Sequence, residues 1–287
     1  MASLKDLRRR IRATKSMEQI FKAMEMVAAA KLRRAQARAQ AASPYSAKIS
    51  AMLANLAGAA AELEHPLFKA REVKTTALVL ITADRGFAGA YNTAVLRIAE
   101  QRLKNATPGS VQCVVVGRKG RDYLKRRGYP VMATYADLPG EASLELARTI
   151  TNDLTEKFLS GEVDRVEILY THFVNAVTRK VLNETFLPIG EVAAGAAPAS
   201  TAGSALFEPD AETIFAELLP RYATAKLYAS LADSLASEHS ARMVAMGSAR
   251  KNAGELVDSL TLTRNRLRQA MITREISELV GGAEALK

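Results

Sequence analysis

Apolar residues at the start of the chain recur at Leu4, Leu7, Ile11, Met17, Ile20, Phe21, Met24, Val27 and Leu32. Spacings of three and four draw one stripe along a helix. Ala28, Ala35, Ala39 and Ala42 extend it with side chains small enough to admit a neighbouring backbone. Pro44 removes a backbone donor and predicts a kink or break. Ile49, Met52, Leu53 and Leu56 then resume the pattern until Gly58 and His65-Pro66 end it. At the other end a second stripe runs from Ile214 through Leu227, Leu235, Met246, Leu256 and Leu267 to Leu279, with no proline after Pro220. Only small residues interrupt it around Ala249–Gly254, which predicts a loosely packed or closely approached stretch. At about 1.5 Å per residue each helix extends tens of ångströms, beyond the ~10–14 residues of an ordinary globular helix. Neither buries its stripe alone, so the two are expected to pair antiparallel. Both stripes drift from strict heptads, which predicts an irregular coiled coil rather than a leucine zipper.

Between them the period changes. Thr76–Thr82 and Val111–Val116 are short runs rich in β-branched residues, as in strands buried on both faces. Val131–Thr134, Asp164–Thr171 and Lys180–Pro188 add three more, the last with the interleaved polar residues of an edge. Helical stretches follow at Ala90–Leu103, Gly120–Arg127 and Ser143–Leu159. Strand alternating with helix predicts a parallel, Rossmann-like α/β sheet. The expected organisation is an N-terminal shaft helix over 1–60 and an α/β domain over 61–191. A flexible Ala/Gly/Ser/Pro linker over 192–209 and a C-terminal shaft helix over 210–287 complete it.

Charge adds a direction. Of the net +10, residues 1–42 hold +8, whereas basic and acidic residues balance over 210–287. A basic helix calls for an acidic partner: nucleic acid, anionic lipid or an acidic protein surface. A nucleic-acid-binding coiled coil is therefore one alternative, weakened because the basic residues lie along an apolar stripe that needs a helical partner. The Arg-rich start also reads like a transit peptide, but its helical pattern runs past any cleavage point and is expected to be mature structure.

Candidate chemistry is sparse. Thr82–Asn92 (TADRGFAGAYN) lies at the C-terminal end of the first strand, where open α/β sheets bind ligands. It lacks GxGxxG and the Walker pattern, so Gly86 and Gly89 are expected to serve a tight turn and close helix–sheet packing. Gly117-Arg118-Lys119-Gly120 reads as a solvated basic turn. His65, His172 and His239 show no metal-ligand spacing, and the single cysteine, Cys113, sits in a strand as a buried, inert thiol. No catalytic residue, metal site or cofactor is expected. On the last helix Glu238 and Arg242 stand four apart, Arg264, Arg266 and Arg268 cluster, and Gln269 and Thr273 share a face.

Several of these segments together resemble one family. Phe21–Gln36 (FKAMEMVAAAKLRRAQ) resembles the N-terminal signature of the gamma subunits of F-type ATP synthases. Ser237–Met246, Lys251–Leu256 and Arg268–Leu279 resemble the C-terminal helix of that family. DRGFAGAYN is similar to the family's turn after the first strand, with Ala88 where cysteine is usual, and VVGRKGRDYL to its second strand and turn. The resemblance implies a non-catalytic rotating shaft that couples proton-driven rotation of a c-subunit ring to ATP synthesis and hydrolysis on beta subunits. It implies one copy per complex, with the alpha–beta hexamer, the epsilon subunit and the c ring as partners, on the cytoplasmic face of a bacterial inner membrane. Matched motif by motif, Lys22, Met24, Glu238, Arg242, Arg268, Gln269, Thr273 and Glu275 are expected to contact beta subunits. Arg8, Arg9, Lys31, Arg33 and Arg34 form the expected basic patch toward acidic beta and ring surfaces.

Overall fold

The computed structural model describes residues 3–59, 65–190 and 211–284; the predicted linker 192–209 lies outside them. In chain order the elements are α1 (Leu4–Ala59), β1 (Thr76–Ile81), α2 (Tyr91–Asn105), β2 (Val111–Val116), α3 (Arg118–Arg126), β3 (Val131–Tyr135), α4 (Leu144–Leu159), β4 (Arg165–Phe173), β5 (Arg179–Leu187) and α5 (Ala211–Glu284). Two compact units emerge, one from residues 1–28 and 243–287, the other from residues 29–242.

The second unit is built on a five-stranded sheet of order β3-β2-β1-β4-β5. The run of Ala77, Val79 and Ile81 packs one face against α4 (Ala147, Ile150, Leu154, Phe158) and α5 (Phe215, Leu219, Leu227, Leu231), with Ile49 and Leu53 of α1. The alternate residues Leu78 and Leu80 pack the other face with Val95 and Ala99 of α2 and Leu124 of α3. Burial on both faces is why these strands read as continuous apolar runs. Ser143 starts α4 by accepting a hydrogen bond from the Leu146 amide at 3.2 Å. Cys113 is fully buried, and burial pushes its thiol up to about 12, so the thiolate is scarce at neutral pH.

The sheet corrects the all-parallel expectation. β4 pairs with β1 in parallel, but β5 pairs with β4 antiparallel, closing with Phe173 opposite Arg179. The residues between them are too few for a crossover, which takes about a dozen. The edge place of β5 agrees with its interleaved polar residues. Pro44 does not break α1, and Pro220 lies likewise inside α5. Each proline removes one amide from a helix of 56 or 74 residues, so the flanking ladder persists.

The first unit is an antiparallel helix pair, and its seam is more regular than the apolar residues suggest. Along α1 the covered positions include Leu4, Leu7, Ile11, Thr14, Glu18, Phe21, Glu25 and Ala28, with Asp6 and Met24 flanking them. Along α5 they include Met243, Met246, Arg250, Ala253, Val257, Leu260, Arg264 and Leu267. Both series alternate strictly between three and four residues, the heptad seam of a coiled coil. Polar side chains at Thr14, Glu18, Glu25, Arg250 and Arg264 hide this period from a search for apolar residues. Conversely Met17, Ile20 and Val27, placed in the stripe by sequence, are 51%, 56% and 56% exposed.

Candidate functional site

The C-terminal ends of the parallel strands are where a ligand would enter such a sheet, at the point beside β1 where strand order reverses. Here that place is filled from within. Thr82 Oγ1 donates to the Val116 carbonyl at 2.9 Å and accepts from the Gly120 amide at 3.0 Å. Asp84 bridges two backbone segments at this end of the sheet. Its Oδ1 accepts from the Arg118 amide at the start of α3 at 2.8 Å, and its Oδ2 from the Leu138 amide at 2.6 Å. The helix N-terminus is thus satisfied by a carboxylate of the chain itself. Asn92 Oδ1 accepts from the Ala83 amide at 2.9 Å and ties α2 to the same turn.

Glycine usage follows from this interlock. At Gly117 (φ 98) a Cβ would collide with the Thr82 carbonyl, and at Gly120 it would lie 2.7 Å from Val115 Cγ1. Gly86, which sequence had assigned a packing role, has nothing within 4 Å of its Cβ position. At this end of the sheet close packing therefore falls to Gly117 and Gly120; between them the Arg118 guanidinium pairs with Asp137 and Lys119 is exposed. Identical-looking glycine pairs carry no sign in sequence of which one meets a neighbouring strand.

Helix α5 lies across the crevice. Ser234 and Glu238, with Thr82, Tyr91, Leu138 and Ser143, line a residual cavity of only about 40 Å³. Arg242 Nη2 donates to Glu238 Oε1 at 2.6 Å, and both side chains are 12% exposed. Arg242 Nε also reaches the Gly86 carbonyl at 3.3 Å. Burial pushes the Glu238 carboxyl up, opposed by Arg242. Burial and the Glu238 charge push the Tyr91 hydroxyl far up as well. Shifted titratable groups in a crevice ordinarily mark an active site. With so little free volume and the charges already paired, these close the top of the sheet under α5.

His239 is 3% exposed and its Nε2 has no hydrogen-bond partner. Burial, with the nearby Arg242 and Lys31 charges, lowers it to about 4 from 6.5. Above 6.5 the ring is neutral in both folded and unfolded chain, and that stability is fully present. Between about 6.5 and 4 only the unfolded chain takes up the proton, so stability falls as pH falls, by up to about 1.4 kcal/mol per pH unit. Urea midpoints measured from about pH 7.5 to about pH 5, a range that spans the upper part of this window, are expected to drop less for His239→Gln than for the parent. Equal slopes would refute the assignment. Glu238, whose raised value acts with opposite sign, is common to both chains and cancels.

Of the other residues singled out by sequence, Arg8, Arg9, Lys22 and Arg33 are exposed, Arg9 lying 3.4 Å from Asp6. Met24 is half-buried beside the seam. Lys31 and Arg34 come together with Arg38 around a cavity of about 170 Å³ facing Gly140–Ala142, and Arg38 pairs with Glu141. Arg268, Gln269, Thr273 and Glu275 are all exposed on the last part of α5, apart from the buried Glu238–Arg242 pair. Every residue from 268 to 282 is exposed, including Met271, Ile272, Ile276, Leu279 and Val280. Among the described residues no group of acidic, His and Cys side chains is arranged for a metal, and no helix is long and apolar enough to cross a membrane.

Exposed apolar side chains thus stand among charged ones on all sides of this helix end, and Met17, Ile20 and Val27 form a second exposed apolar stripe on α1. The family model described as ATP synthase matches residues 3–286. The ATP synthase gamma chain of Desulforamulus reducens is 45% identical over 287 residues, all of both chains. That of Symbiobacterium thermophilum is 47% identical, over 99% of this chain and 98% of its own. Among solved structures, the central stalk and c ring of the Tetrahymena thermophila mitochondrial ATP synthase includes a chain 25% identical. It aligns with TM-score 0.60 over 80% of this chain and 99% of its own. A chain of the Euglena gracilis mitochondrial enzyme, 20% identical, shares the fold with TM-score 0.72 over 99% of this chain and 94% of its own. On full-length identity and on the family match together, this chain belongs to the family of ATP synthase gamma chains.

Proposed function

We propose that this chain is the rotating central-stalk subunit of a proton-translocating ATP synthase, transmitting rotation of a c-subunit ring to the nucleotide sites of beta subunits. The observation that carries it is the exposed end of α5, residues 268–282, with its uncovered Met271, Ile272, Ile276, Leu279 and Val280, in a chain whose crevice at the strand ends of the sheet is closed by its own side chains. The helix end enters the centre of an alpha–beta hexamer, where Arg268, Gln269, Thr273 and Glu275 meet beta subunits in turn, with Lys22 and Met24 on α1. Glu238 and Arg242 act in that contact through the turn they hold, since Arg242 grips the Gly86 carbonyl. Arg8, Arg9, Lys31, Arg33 and Arg34 face acidic beta and ring surfaces. Polar contacts worth under about 1 kcal/mol suit a surface that must exchange partners as it turns. Epsilon and the c ring bind the remainder, and the complex stands on the cytoplasmic face of a bacterial membrane.

Reconstitution tests this. The chain is expected to co-assemble with purified alpha and beta subunits and to raise their ATPase activity; failure to co-assemble overturns the proposal. Ile276→Asp with Leu279→Asp refines it. Both side chains are exposed, at 55% and 74%, so urea unfolding of the free chain is expected to shift by less than about 0.5 kcal/mol. Co-assembly is expected to weaken at least about tenfold, because two carboxylates then enter an enclosed site. Unchanged assembly would show that this helix end does not sit inside a partner.

A further inference from the structure

The seam of the first unit carries two carboxylates where a coiled coil ordinarily carries apolar residues, and each faces a glycine. A Cβ at Gly247 would stand 3.2 Å from Glu25 Oε1, and one at Gly254 would stand 3.9 Å from Glu18 Oε1. Glu18 and Glu25 are seven residues apart on α1; Gly247 and Gly254 are seven apart on α5, running the other way. Arg250 closes the upper rung, its Nη1 lying 3.3 Å from Glu25 Oε2. That oxygen has no directed hydrogen bond, so the contact is ionic.

We infer that this ladder fixes the register of the helix pair. A slip of one heptad moves α1 about 10 Å along α5 while keeping the apolar positions in the seam, so the apolar pattern alone tolerates it. The ladder does not. After a slip one way Glu18 meets Thr261 in place of a glycine; after a slip the other way Glu25 meets Ser240. In either case one carboxylate loses its space, and the Glu25–Arg250 rung is broken. Buried polar groups that specify register at a cost in stability are the best attested use of such residues. The consequence reaches the outer surface, because register decides which α5 residues stand level with the exposed stripe Met17, Ile20 and Val27.

Disulfide trapping in the full chain tests it, aided by the burial of the one native cysteine. The heptad step places Ile11 level with Thr261, so Ile11→Cys with Thr261→Cys reports the native register. Ile11→Cys with Arg268→Cys reports one slip, and Leu4→Cys with Thr261→Cys the other. In the parent the native reporter is expected to dominate. In a Glu25→Leu, Arg250→Leu background its excess over the slipped reporters is expected to fall about fivefold or more, the worth of a partly screened ion pair. The charge-reversed background, Glu25→Arg with Arg250→Glu, is expected to restore the excess, and it also serves if the leucine pair fails to fold. An unchanged excess in the leucine background overturns the inference, as does loss of the excess in the reversed one.

Discussion

Arg242→Ala is expected to destabilise the chain by about 3–5 kcal/mol, while removing both members of its pair costs much less. The guanidinium donates to Glu238 at 2.6 Å in a setting where both side chains are 12% exposed. Its loss leaves a carboxylate among Thr82, Tyr91, Ser234 and Leu138 with no hydrogen-bonded counter-charge, only the weaker influence of Lys31, and burial already pushes that carboxyl up. Glu238 then either stays ionised in a poor environment or takes up a proton at a free-energy cost. The alanine also releases the Gly86 carbonyl, held at 3.3 Å, and with it the turn after β1. Glu238→Leu with Arg242→Leu instead fills the crevice with apolar atoms of similar volume. It is expected to unfold within about 1–2 kcal/mol of the parent. Urea titration followed by far-UV circular dichroism gives both numbers. Equal losses in the single and double variants would mean that the pair is a solvated surface contact after all.

That contrast marks where sequence stops being legible. The i,i+4 spacing of Glu238 and Arg242 was plain, but spacing is the same for an exposed pair worth a few tenths of a kcal/mol and for a buried one. What separates them is the turn at Gly86 folding over α5, a contact between residues 156 apart in the chain. The same holds for Asp84, whose capping of α3 joins positions 34 apart. Long-range polar contacts leave no local pattern.

The sheet was more readable because its signal is local. β1 and β2 are buried on both faces, so all their residues but the part-exposed Gln112 are apolar or small, and the runs stand out. The direction of β5 was not in the pattern, since a strand looks alike in either sense; connection length decided it. The helices show the converse. Their existence followed from apolar spacing, yet the seam itself was misplaced. Its positions at 14, 18 and 25 are Thr and Glu, while the apolar Met17, Ile20 and Val27 lie off it. A pattern search assigns apolar residues to the interior. Where apolar residues mark an exposed face as well as a buried one, only geometry tells them apart.

Gly117→Ala is expected to be strongly destabilising, whereas Gly86→Ala, in the turn after β1, is expected to be nearly silent. Gly117 has φ 98, where an L side chain is strained, and its Cβ would run into the Thr82 carbonyl. That carbonyl belongs to the backbone leaving β1, so it cannot swing aside as a side-chain tip would. The Thr82 amide is itself bonded to the Val116 carbonyl at 2.8 Å, and Thr82 Oγ1 bridges Val116 and Gly120. Relief of the clash therefore separates the ends of β1 and β2 and breaks that bridge. Conformational strain of about 1–3 kcal/mol plus overpacking of a similar size predicts a loss on the order of 3–5 kcal/mol. Gly86 has open space around its Cβ position, and alanine there is expected to shift stability by less than about 0.5 kcal/mol. Parallel urea titrations of the two variants decide the matter: if Gly86→Ala costs as much as Gly117→Ala, the interlock of the two turns is not what shapes this end of the sheet.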